Sequence, residues 1–368
     1  MRQWILVAGA RPNFMKIASI VHALNQHGEI TPLLVHTGQH YTPEMSDIFF
    51  NQLGIPEPDM NLDVGSGSHA VQTAEIMIRF ETVLLDVKPE LVLVVGDVNS
   101  TLACALTAVK MKINVAHVEA GLRSFDRDMP EEINRILTDA ISDFLFITEP
   151  SAEKNLLNEG IPREKIFFVG NTMIDTLIAH REKAEASHIL DSLKLKERKY
   201  ALVTLHRPSN VDHKEDLSGI WNALRDISTV LPIVFPAHPR TVKQMNAFDL
   251  TMTDTDRFRV VPPLGYHDFL KLMTHARCVL TDSGGIQEET SILGVPCLTL
   301  RKNTERPVTV DMGTNRIVGT DPDMIREAFM EIYHRNELKK TPIPLWDGKA
   351  AERIVSLLID ALNKRFNK

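Results

Sequence analysis

The most informative stretch of this sequence is Val279-Leu280-Thr281-Asp282-Ser283-Gly284-Gly285-Ile286-Gln287-Glu288-Glu289. The apolar run Cys278 to Leu280 predicts a buried strand, and the two glycines predict the start of a helix. The first N–H groups of a helix lack intrahelical partners and, with the helix dipole, attract anions such as phosphate. Glycine lets a ligand approach the backbone closely, and a carboxylate within two turns can take a pair of ribose hydroxyls. The stretch favours a nucleotide diphosphate site, with an ordinary Ser-capped turn as the alternative.

Short β-branched runs alternate with longer amphipathic stretches along the chain, which predicts parallel sheets covered by helices. Strands are predicted at 5–7, 33–35, 91–95, 115–118, 144–147, 201–204, 233–235, 259–261, 279–280 and 297–300. The alternation stops at 181–199, where ten of the nineteen residues are charged. A domain junction in this region follows from the change in composition.

We therefore predict an α/β protein of two Rossmann-like, doubly wound parallel-sheet domains that face a cleft. The first domain, residues 1–170, would carry the catalytic carboxylates, and a junction would occupy 171–199. The second domain, 200–348, would bind the nucleotide. Residues 349–368 predict an amphipathic helix that either crosses back to the first domain or caps its own. In such sheets ligands bind outside the carboxyl ends of the strands.

Length, charge and cysteine content exclude several classes of protein. The 368 residues suffice for two domains with separate cores, and a net charge of −7 argues against nucleic acid as the main partner. Cys104, Cys278 and Cys297 lie in apolar stretches, which predicts reduced core thiols and a cytoplasmic protein. We expect no signal peptide and no membrane span. Without a Walker loop, a Gly-x-Gly-x-x-Gly string or metal-ligand spacing, we expect no cofactor and no metal.

Three carboxylates of the first domain are candidates for acid–base chemistry. Asp97 and Glu119 follow predicted strands, and Glu131 lies at a predicted helix start. Carboxylates that are close together move one another's pKa values apart, as proton transfer at a sugar carbon requires. The structural alternatives are a helix cap for Asp97, an ion pair with Arg123 for Glu119, and a first-turn dipole contact for Glu131.

Positively charged side chains suited to an anion follow strands in both domains. Arg11 and Lys16 follow the first strand, and His206 and His238 follow two strands of the second domain. Arg306 lies just past the 297–300 run. Arginine offers a planar fork to phosphate and lysine a point charge. The alternative is a surface position for Arg11 and Lys16, and for Arg306 a salt bridge with the preceding glutamate.

These residues together resemble a known family, the non-hydrolysing UDP-N-acetylglucosamine 2-epimerases, nearly end to end. The matching strings are Gly9-Ala10-Arg11-Pro12, Thr37-Gly38-Gln39-His40, Gly96-Asp97, His117-Val118-Glu119-Ala120-Gly121-Leu122-Arg123, Pro130-Glu131-Glu132-Ile133-Asn134-Arg135, Gly170-Asn171, Thr204-Leu205-His206-Arg207, Asp282-Ser283-Gly284-Gly285-Ile286-Gln287-Glu288-Glu289 and Thr304-Glu305-Arg306-Pro307. The His-Val-Glu-Ala-Gly-Leu-Arg and Asp-Ser-Gly-Gly-Ile-Gln-Glu-Glu strings are the most specific.

The resemblance implies the fold of GT-B glycosyltransferases, with UDP held mainly by the second domain and no cofactor. The residues at the family's catalytic positions are Asp97, Glu119, Glu131 and His206. The residues expected to bind the substrate are Arg11, Lys16, His238, Phe269, Ser283, Gly284, Gly285, Glu289 and Arg306. Among these, Phe269 would present its backbone to uracil and Glu289 would bind the ribose.

The implied reaction interconverts UDP-GlcNAc and UDP-ManNAc, precursors of surface polysaccharide. The C2 proton leaves as UDP departs from C1, and both return after 2-acetamidoglucal has formed. The resemblance also implies a homodimer and, at Gln39, His40 and Arg207, a site for an activating second UDP-GlcNAc.

One departure from the family pattern concerns the loop after the first strand of the second domain, where Pro208-Ser209 stand in place of the Arg-Glu of familiar bacterial members. Because this loop is altered, activation by a second UDP-GlcNAc stays an open question. The identity of the sugar on the substrate is open as well, with a diacetamido uronic acid or a hexose on UDP as the alternatives. A hydrolysing epimerase, a GT-B glycosyltransferase and a nucleotide-sugar sensor without catalysis are also compatible with the sequence.

Overall fold

The computed structural model describes residues 2–38, 52–250, 257–334 and 341–366, and the chain divides into two compact units. Unit 1 comprises residues 1–179 together with 344–368, and unit 2 comprises residues 180–343. The chain therefore leaves unit 1 once and returns to it for its last segment.

Each unit is built from alternating strands and helices. The strands are β1 (Arg2–Ala8), β2 (Ile30–His36), β3 (Met60–Asn61), β4 (Leu91–Val95), β5 (Asn114–Val118), β6 (Phe144–Ile147) and β7 (Ile166–Phe168) in unit 1, and β8 (Ala201–Thr204), β9 (Ile233–Pro236), β10 (Phe258–Val261), β11 (Cys278–Thr281), β12 (Cys297–Thr299) and β13 (Asn315–Ile317) in unit 2. The helices are α1 (Arg11–His27), α2 (His69–Val87), α3 (Asn99–Lys110), α4 (Pro130–Ile141), α5 (Pro150–Asn158), α6 (Thr172–Glu185), α7 (Ile189–Ser192), α8 (Pro208–Val211), α9 (Lys214–Val230), α10 (Pro239–Ala247), α11 (Tyr266–His275), α12 (Gly284–Leu293), α13 (Pro307–Asp311), α14 (Pro322–His334) and α15 (Ala350–Phe366).

The two sheets are parallel, and the six strands of unit 2 have the same order as the first six of unit 1, which confirms the predicted fold class of two doubly wound α/β domains. Unit 1 has the order β3-β2-β1-β4-β5-β6-β7, and unit 2 has the order β10-β9-β8-β11-β12-β13. Strands such as β4 are buried along their whole length, because helices cover both faces of a parallel sheet. The strand order reverses between β1 and β4 in unit 1 and between β8 and β11 in unit 2. Such switch points are where sheets of this kind bind ligands.

The last segment of the chain is fastened to unit 1. Helix α15 packs against α1, and the Asp175 carboxylate in α6 accepts the first N–H groups of α15, from Ala350 (3.1 Å) and Ala351 (2.7 Å). The Trp346 indole donates to the Thr148 carbonyl at 2.8 Å. At Gly170, which has φ +93°, an added Cβ would lie 2.0 Å from the carbonyl oxygen of Leu345. Glycine is therefore required there both by the backbone conformation and by the close approach of the returning chain.

Substitution of Gly170 tests this closure. Both Gly170→Ala and Gly160→Ala place a side chain at positive φ, but an added Cβ at Gly160 (φ +84°) meets nothing within 4 Å in the described structure. We expect Gly160→Ala to cost about 1 kcal/mol of unfolding free energy through backbone strain. Gly170→Ala should cost roughly 1–3 kcal/mol more through the clash. Urea denaturation measures both, and equal losses would contradict the close approach.

Candidate functional site

In both units most candidate residues lie in the loops and helices that follow the carboxyl ends of the strands. The unit 1 rim is defined here as the loops and first helical turns that follow β1, β4 and β5. The unit 2 rim is the corresponding set that follows β8, β9, β11 and β12.

The loop after β1 is organised by Asn13 and delivers Lys16. The Asn13 amide oxygen accepts the N–H groups of Gly9 (3.2 Å) and Ala10 (2.9 Å), and its Nδ2 donates to the Val95 carbonyl at 3.1 Å. This side chain therefore ties the β1 loop to the end of β4. Lys16 follows one turn later, and its side chain is only 8% exposed.

Lys16 forms a buried ion pair with Glu119, whose side chain is 6% exposed. Gly96, with φ +70°, makes room for this pair, because a Cβ there would lie 2.9 Å from Lys16 Nζ. Glu119 itself adopts φ +72°, a conformation that is rare for residues other than glycine and that clusters at functional sites. Its partner is thus Lys16 and not Arg123, which binds Asp139 (2.8 Å) and Glu159 (2.6 Å) instead.

Asp97 is held by Arg135 of α4. Arg135 donates from Nη1 to Asp97 Oδ2 at 2.5 Å, and Asn134 donates to the Asp97 carbonyl at 2.9 Å. Asp97 does not cap α3, because Val98 occupies the N-cap position. Its side chain is 24% exposed, whereas that of Arg135 is 2% exposed. The carboxylate is therefore fixed from the protein side and still reaches solvent.

The two glutamates at the start of α4 have different tasks. Glu132 is buried and accepts from the N–H groups of Ser124 and Phe125, both at 2.9 Å, and from Arg135. Burial raises the pKa of Glu132, but these donors outweigh burial and hold the pKa below its ordinary value. Glu131 is half-buried, and within the described residues its side chain has no hydrogen bond or ion pair. Since Glu131 precedes Arg135 by one turn, the two share a face of α4.

His117 and Asp139 form a buried pair that the sequence analysis did not single out. His117 Nδ1 lies 2.7 Å from Asp139 Oδ1, and His117 Nε2 lies 2.8 Å from the Gly96 carbonyl. The other oxygen of Asp139 accepts the Gly121 N–H at 3.0 Å. Burial raises the pKa of Asp139, but the charges of His117 and Arg123 outweigh burial and lower it. The pair thus anchors the turns that carry Asp97 and Glu119; the sequence signal was a histidine inside a buried strand.

On the unit 2 rim, the turn at Ser283 leads into α12 without a side-chain cap. The Ser283 hydroxyl makes no hydrogen bond to the helix, and the Ser283 N–H donates to Thr281 Oγ1 at 3.0 Å. A Cβ added at Gly284 would lie 2.8 Å from Arg306 Nη1, so the guanidinium lies directly against the start of α12. Arg306 is paired with Glu288 at 2.7 Å. The Ser-capped alternative is therefore wrong, and a cation stands beside the uncapped helix start.

Glu289 is a buried acid beside this turn. The Tyr266 hydroxyl donates to Glu289 Oε1 at 3.1 Å. Burial raises the pKa of Glu289, and the negative charge of Glu288 raises it further. The hydrogen bond from Tyr266 lowers the pKa by less, so the pKa lies at about 8. Glu289 is therefore largely protonated at neutral pH before any ligand binds.

His206 lies beside Asp282, the residue before Ser283, with His206 Nδ1 2.9 Å from Asp282 Oδ1. His238 is exposed at the N-cap of α10, where its Nδ1 accepts the Arg240 N–H at 3.2 Å. Phe269 is half-buried in α11, and its N–H donates to the Gly265 carbonyl at 3.0 Å. Contact of Phe269 with uracil stays a prediction and would have to use another backbone atom.

The three residues predicted for an activating site are only partly described. Arg207 donates to Glu305 at 3.3 Å, and Glu305 also accepts from Arg301 at 2.8 Å. Gln39 and His40 lie outside the described residues, and for Arg11 the structure describes the backbone, as the first residue of α1, but not the side chain.

Neither a metal-binding cluster nor a membrane-spanning helix is found among the described residues. Within these ranges, no three His, Cys, Asp or Glu side chains are grouped so that they could hold a metal ion. Among the helices described, none has the length and apolar composition needed to cross a membrane.

Comparison with known proteins identifies the family. The model of the family described as UDP-N-acetylglucosamine 2-epimerase matches residues 22–359. The chain belongs to the UDP-N-acetylglucosamine 2-epimerase family. The UDP-N-acetylglucosamine 2-epimerase of Methanocaldococcus jannaschii is 45% identical over 96% of this chain and 98% of its own. These matches confirm the predicted family and the predicted enzyme class.

One further relative and one crystal structure define the range of the similarity. The UDP-2,3-diacetamido-2,3-dideoxy-D-glucuronate 2-epimerase of Pseudomonas aeruginosa is 43% identical over 88% of this chain and 90% of its own. A crystal structure of the Methanocaldococcus jannaschii enzyme in complex with UDP-GlcNAc and UDP has a TM-score of 0.91 at 44% identity. It covers 98% of this chain and 99% of its own.

The buried Glu289 predicts a specific pH dependence of stability. Its pKa is raised to about 8 in the folded protein from an ordinary value of 4.5, so between these values the folded state keeps a proton that the unfolded state has released. The unfolding free energy therefore falls as the pH rises through this window. Glu289→Gln should remove that slope and be more stable than the wild type at pH 9, on the order of 1–3 kcal/mol.

The measurement is urea denaturation between pH 5 and pH 9. Glu327→Gln, a substitution at an exposed position of α14, serves as the control and should follow the wild type. Parallel curves for wild type and Glu289→Gln would show that Glu289 has an ordinary pKa.

Proposed function

We propose that this protein is a non-hydrolysing epimerase that interconverts UDP-GlcNAc and UDP-ManNAc for surface polysaccharide. The observation that supports this most is the unit 1 rim, where Asp97 and Glu119 are each paired with a cation, Arg135 and Lys16. Acid–base chemistry at carbon needs carboxylates that are held in position, and a diphosphate leaving group needs positive charge.

The unit 2 rim is assigned to UDP. The N–H groups at the start of α12 and the guanidinium of Arg306 would meet the diphosphate, and Glu289 would accept the ribose hydroxyls. Because burial raises the pKa of Glu289 to about 8, binding a ribose through an ionised carboxylate would release a proton to the solvent.

The unit 1 rim is assigned to the sugar. One carboxylate removes the C2 proton, the C1–O bond breaks, and its electron pair leaves with UDP. The products of this elimination step are 2-acetamidoglucal and UDP. UDP oxygen then bonds to C1, and a proton returns to C2 on the opposite face. We assign these proton transfers to Asp97, Glu119 and Glu131, and we also assign His206 to the reaction.

The choice of sugar depends on the comparison with relatives. Relatives of almost equal identity act, by their names, on UDP-N-acetylglucosamine and on a diacetamido glucuronate. We favour UDP-GlcNAc because the relative with the higher identity and coverage carries that name. Turnover of a panel of UDP-sugars distinguishes the two.

A GT-B glycosyltransferase is the second candidate, because the fold is compatible with both activities. A glycosyltransferase would release UDP only when an acceptor is added. The paired carboxylates of the unit 1 rim favour the epimerase.

Isotope exchange tests the proposed reaction. In deuterated water, wild-type protein should convert UDP-GlcNAc and place deuterium at C2 of product and recovered substrate. Asp97→Asn should keep UDP affinity and lose about 10²–10⁴-fold in kcat, the share typical of a general acid or base. Asp86→Asn, at an exposed position of α2, is the matched control and should retain full activity. Conversion without deuterium at C2, read by NMR, would exclude the proton-transfer route.

We further propose that the protein is a cytoplasmic homodimer. Its three cysteines are free and buried, which fits a reducing compartment. Helix α2 exposes three large apolar side chains seven residues apart, Val71 (58%), Ile78 (63%) and Leu85 (57%). An exposed apolar stripe of this kind is typical of an association surface.

Light scattering tests the dimer. The wild type should have twice the mass of the 41.4 kDa chain, and Ile78→Glu should shift the population towards monomer. Met324→Glu introduces the same charge at an exposed methionine of α14 and should leave the dimer intact. A monomeric wild type at micromolar concentration would exclude the dimer, and an intact Ile78→Glu dimer would place its interface elsewhere.

A further inference from the structure

The buried carboxylate of Asp282 is surrounded by donors from the loop that carries His206. It lies between β11 and α12 and has no exposed side-chain surface. Its oxygens accept the N–H groups of His206 (3.0 and 3.1 Å) and Arg207 (2.9 Å), and Asn210 Nδ2 lies at 3.3 Å. The fourth contact is the imidazole, with His206 Nδ1 2.9 Å from Oδ1.

The sheet explains why these two residues meet. Strands β8 and β11 are neighbours at the switch point, and their last residues, Thr204 and Thr281, are directly paired. Their hydroxyl groups are 2.6 Å apart. Asp282 follows Thr281 by one residue, and His206 follows Thr204 by two. Parallel pairing of the two strands therefore brings the Asp282 carboxylate next to the His206 imidazole.

The charge state of Asp282 determines the tautomer of His206. Burial raises the pKa of Asp282, but the charge and hydrogen bonds of His206 and the N–H of Arg207 outweigh burial and lower it. An ionised carboxylate only accepts hydrogen bonds, so Nδ1 of His206 carries the hydrogen. The imidazole side chain is 47% exposed, and within the described residues Nε2 makes no hydrogen bond. Nε2 is therefore the ring atom available to a ligand.

The other charged groups of this rim have their own partners. Arg207 and Arg301 bind Glu305, and Arg306 is paired with Glu288. Asp282 is thus the carboxylate that contacts His206 in the described part of unit 2.

We propose that Asp282 is a positioning residue that holds His206 in the Nδ1–H tautomer and presents Nε2 to the nucleotide sugar. This inference rests on the proposed function, in which His206 takes part in the reaction. Because Asp282 directly precedes Ser283, the same residue connects the reactive imidazole to the turn assigned to diphosphate. A bound nucleotide and Nε2 are therefore held in one fixed relation. The contribution of Asp282 lies in turnover and not in UDP affinity.

Asp282→Asn tests the tautomer directly. The asparagine oxygen can keep the backbone donors, while its NH₂ group faces Nδ1 and forces the hydrogen to Nε2. We expect kcat to fall about 10²–10⁴-fold with UDP affinity within about twofold of wild type, as for an acid–base group in the wrong tautomer. The control Asp226→Asn, at an ion pair with Arg326 elsewhere in unit 2, should behave as wild type.

A double-mutant cycle distinguishes positioning from a general structural role. If Asp282 acts through His206, then adding His206→Gln to Asp282→Asn should cost no further activity. Additive losses, or an Asp282→Asn enzyme with normal kcat, would overturn the proposal.

A measurement on the wild type covers the case in which Asp282→Asn does not fold. In protein with ¹⁵N-labelled histidine, the His206 signals, assigned by their loss in His206→Gln, should show a protonated Nδ1 and an unprotonated Nε2 at high pH. The reverse tautomer would overturn the proposal whatever the variant does. Absence of C2 exchange in wild-type protein would instead reject the proposed function, and the tautomer measurement would still stand.

Discussion

The rims of both units depend on the pairing of buried charges. Removing a carboxylate from water costs several kcal/mol unless a cation or several hydrogen-bond donors replace the water. Arg135 does this for Asp97 and Lys16 does it for Glu119. Arg306 lies against Glu288 in the same way. Each pair fixes the position of its acid, and proton transfer at a sugar carbon requires carboxyl groups in a fixed position.

Within each unit, the parallel sheet places these pairs beyond the carboxyl ends of its strands. Each sheet reverses its strand order at one place, between β1 and β4 or between β8 and β11, and the loops on either side diverge there. In unit 1, Asn13 joins the two loops by accepting from the β1 loop and donating to Val95. In unit 2, Asp282 joins them by accepting from the loop that carries His206. One polar side chain thus locks each switch point.

Much of this arrangement could be predicted from the sequence. Strands were readable because both faces of a parallel sheet are buried, so each strand is a short run of Val, Ile and Leu. The candidate residues of the rims could be predicted because a charged side chain directly after a buried strand seldom contributes to the core. The helix that starts at Gly284 was readable from its two glycines, and it begins at that residue.

The sequence did not predict which side chain each carboxylate pairs with. Glu119 could have paired with Arg123 four residues on, yet it pairs with Lys16, more than a hundred residues away in the chain. Likewise, nothing local separates Glu131 from Glu132; only the loop at Ser124 shows that Glu132 is the structural one. Such pairs are decided by which strand ends become neighbours, and that information is spread over the whole fold.

The most direct test of the account is a crystal structure of the protein with UDP. We expect the diphosphate at the Ser283 hydroxyl and the N–H groups of Gly284 and Gly285, within hydrogen-bond distance of Arg306, and the ribose hydroxyls on Glu289. A nucleotide bound away from this turn, or a diphosphate that leaves Arg306 without contact, would contradict it.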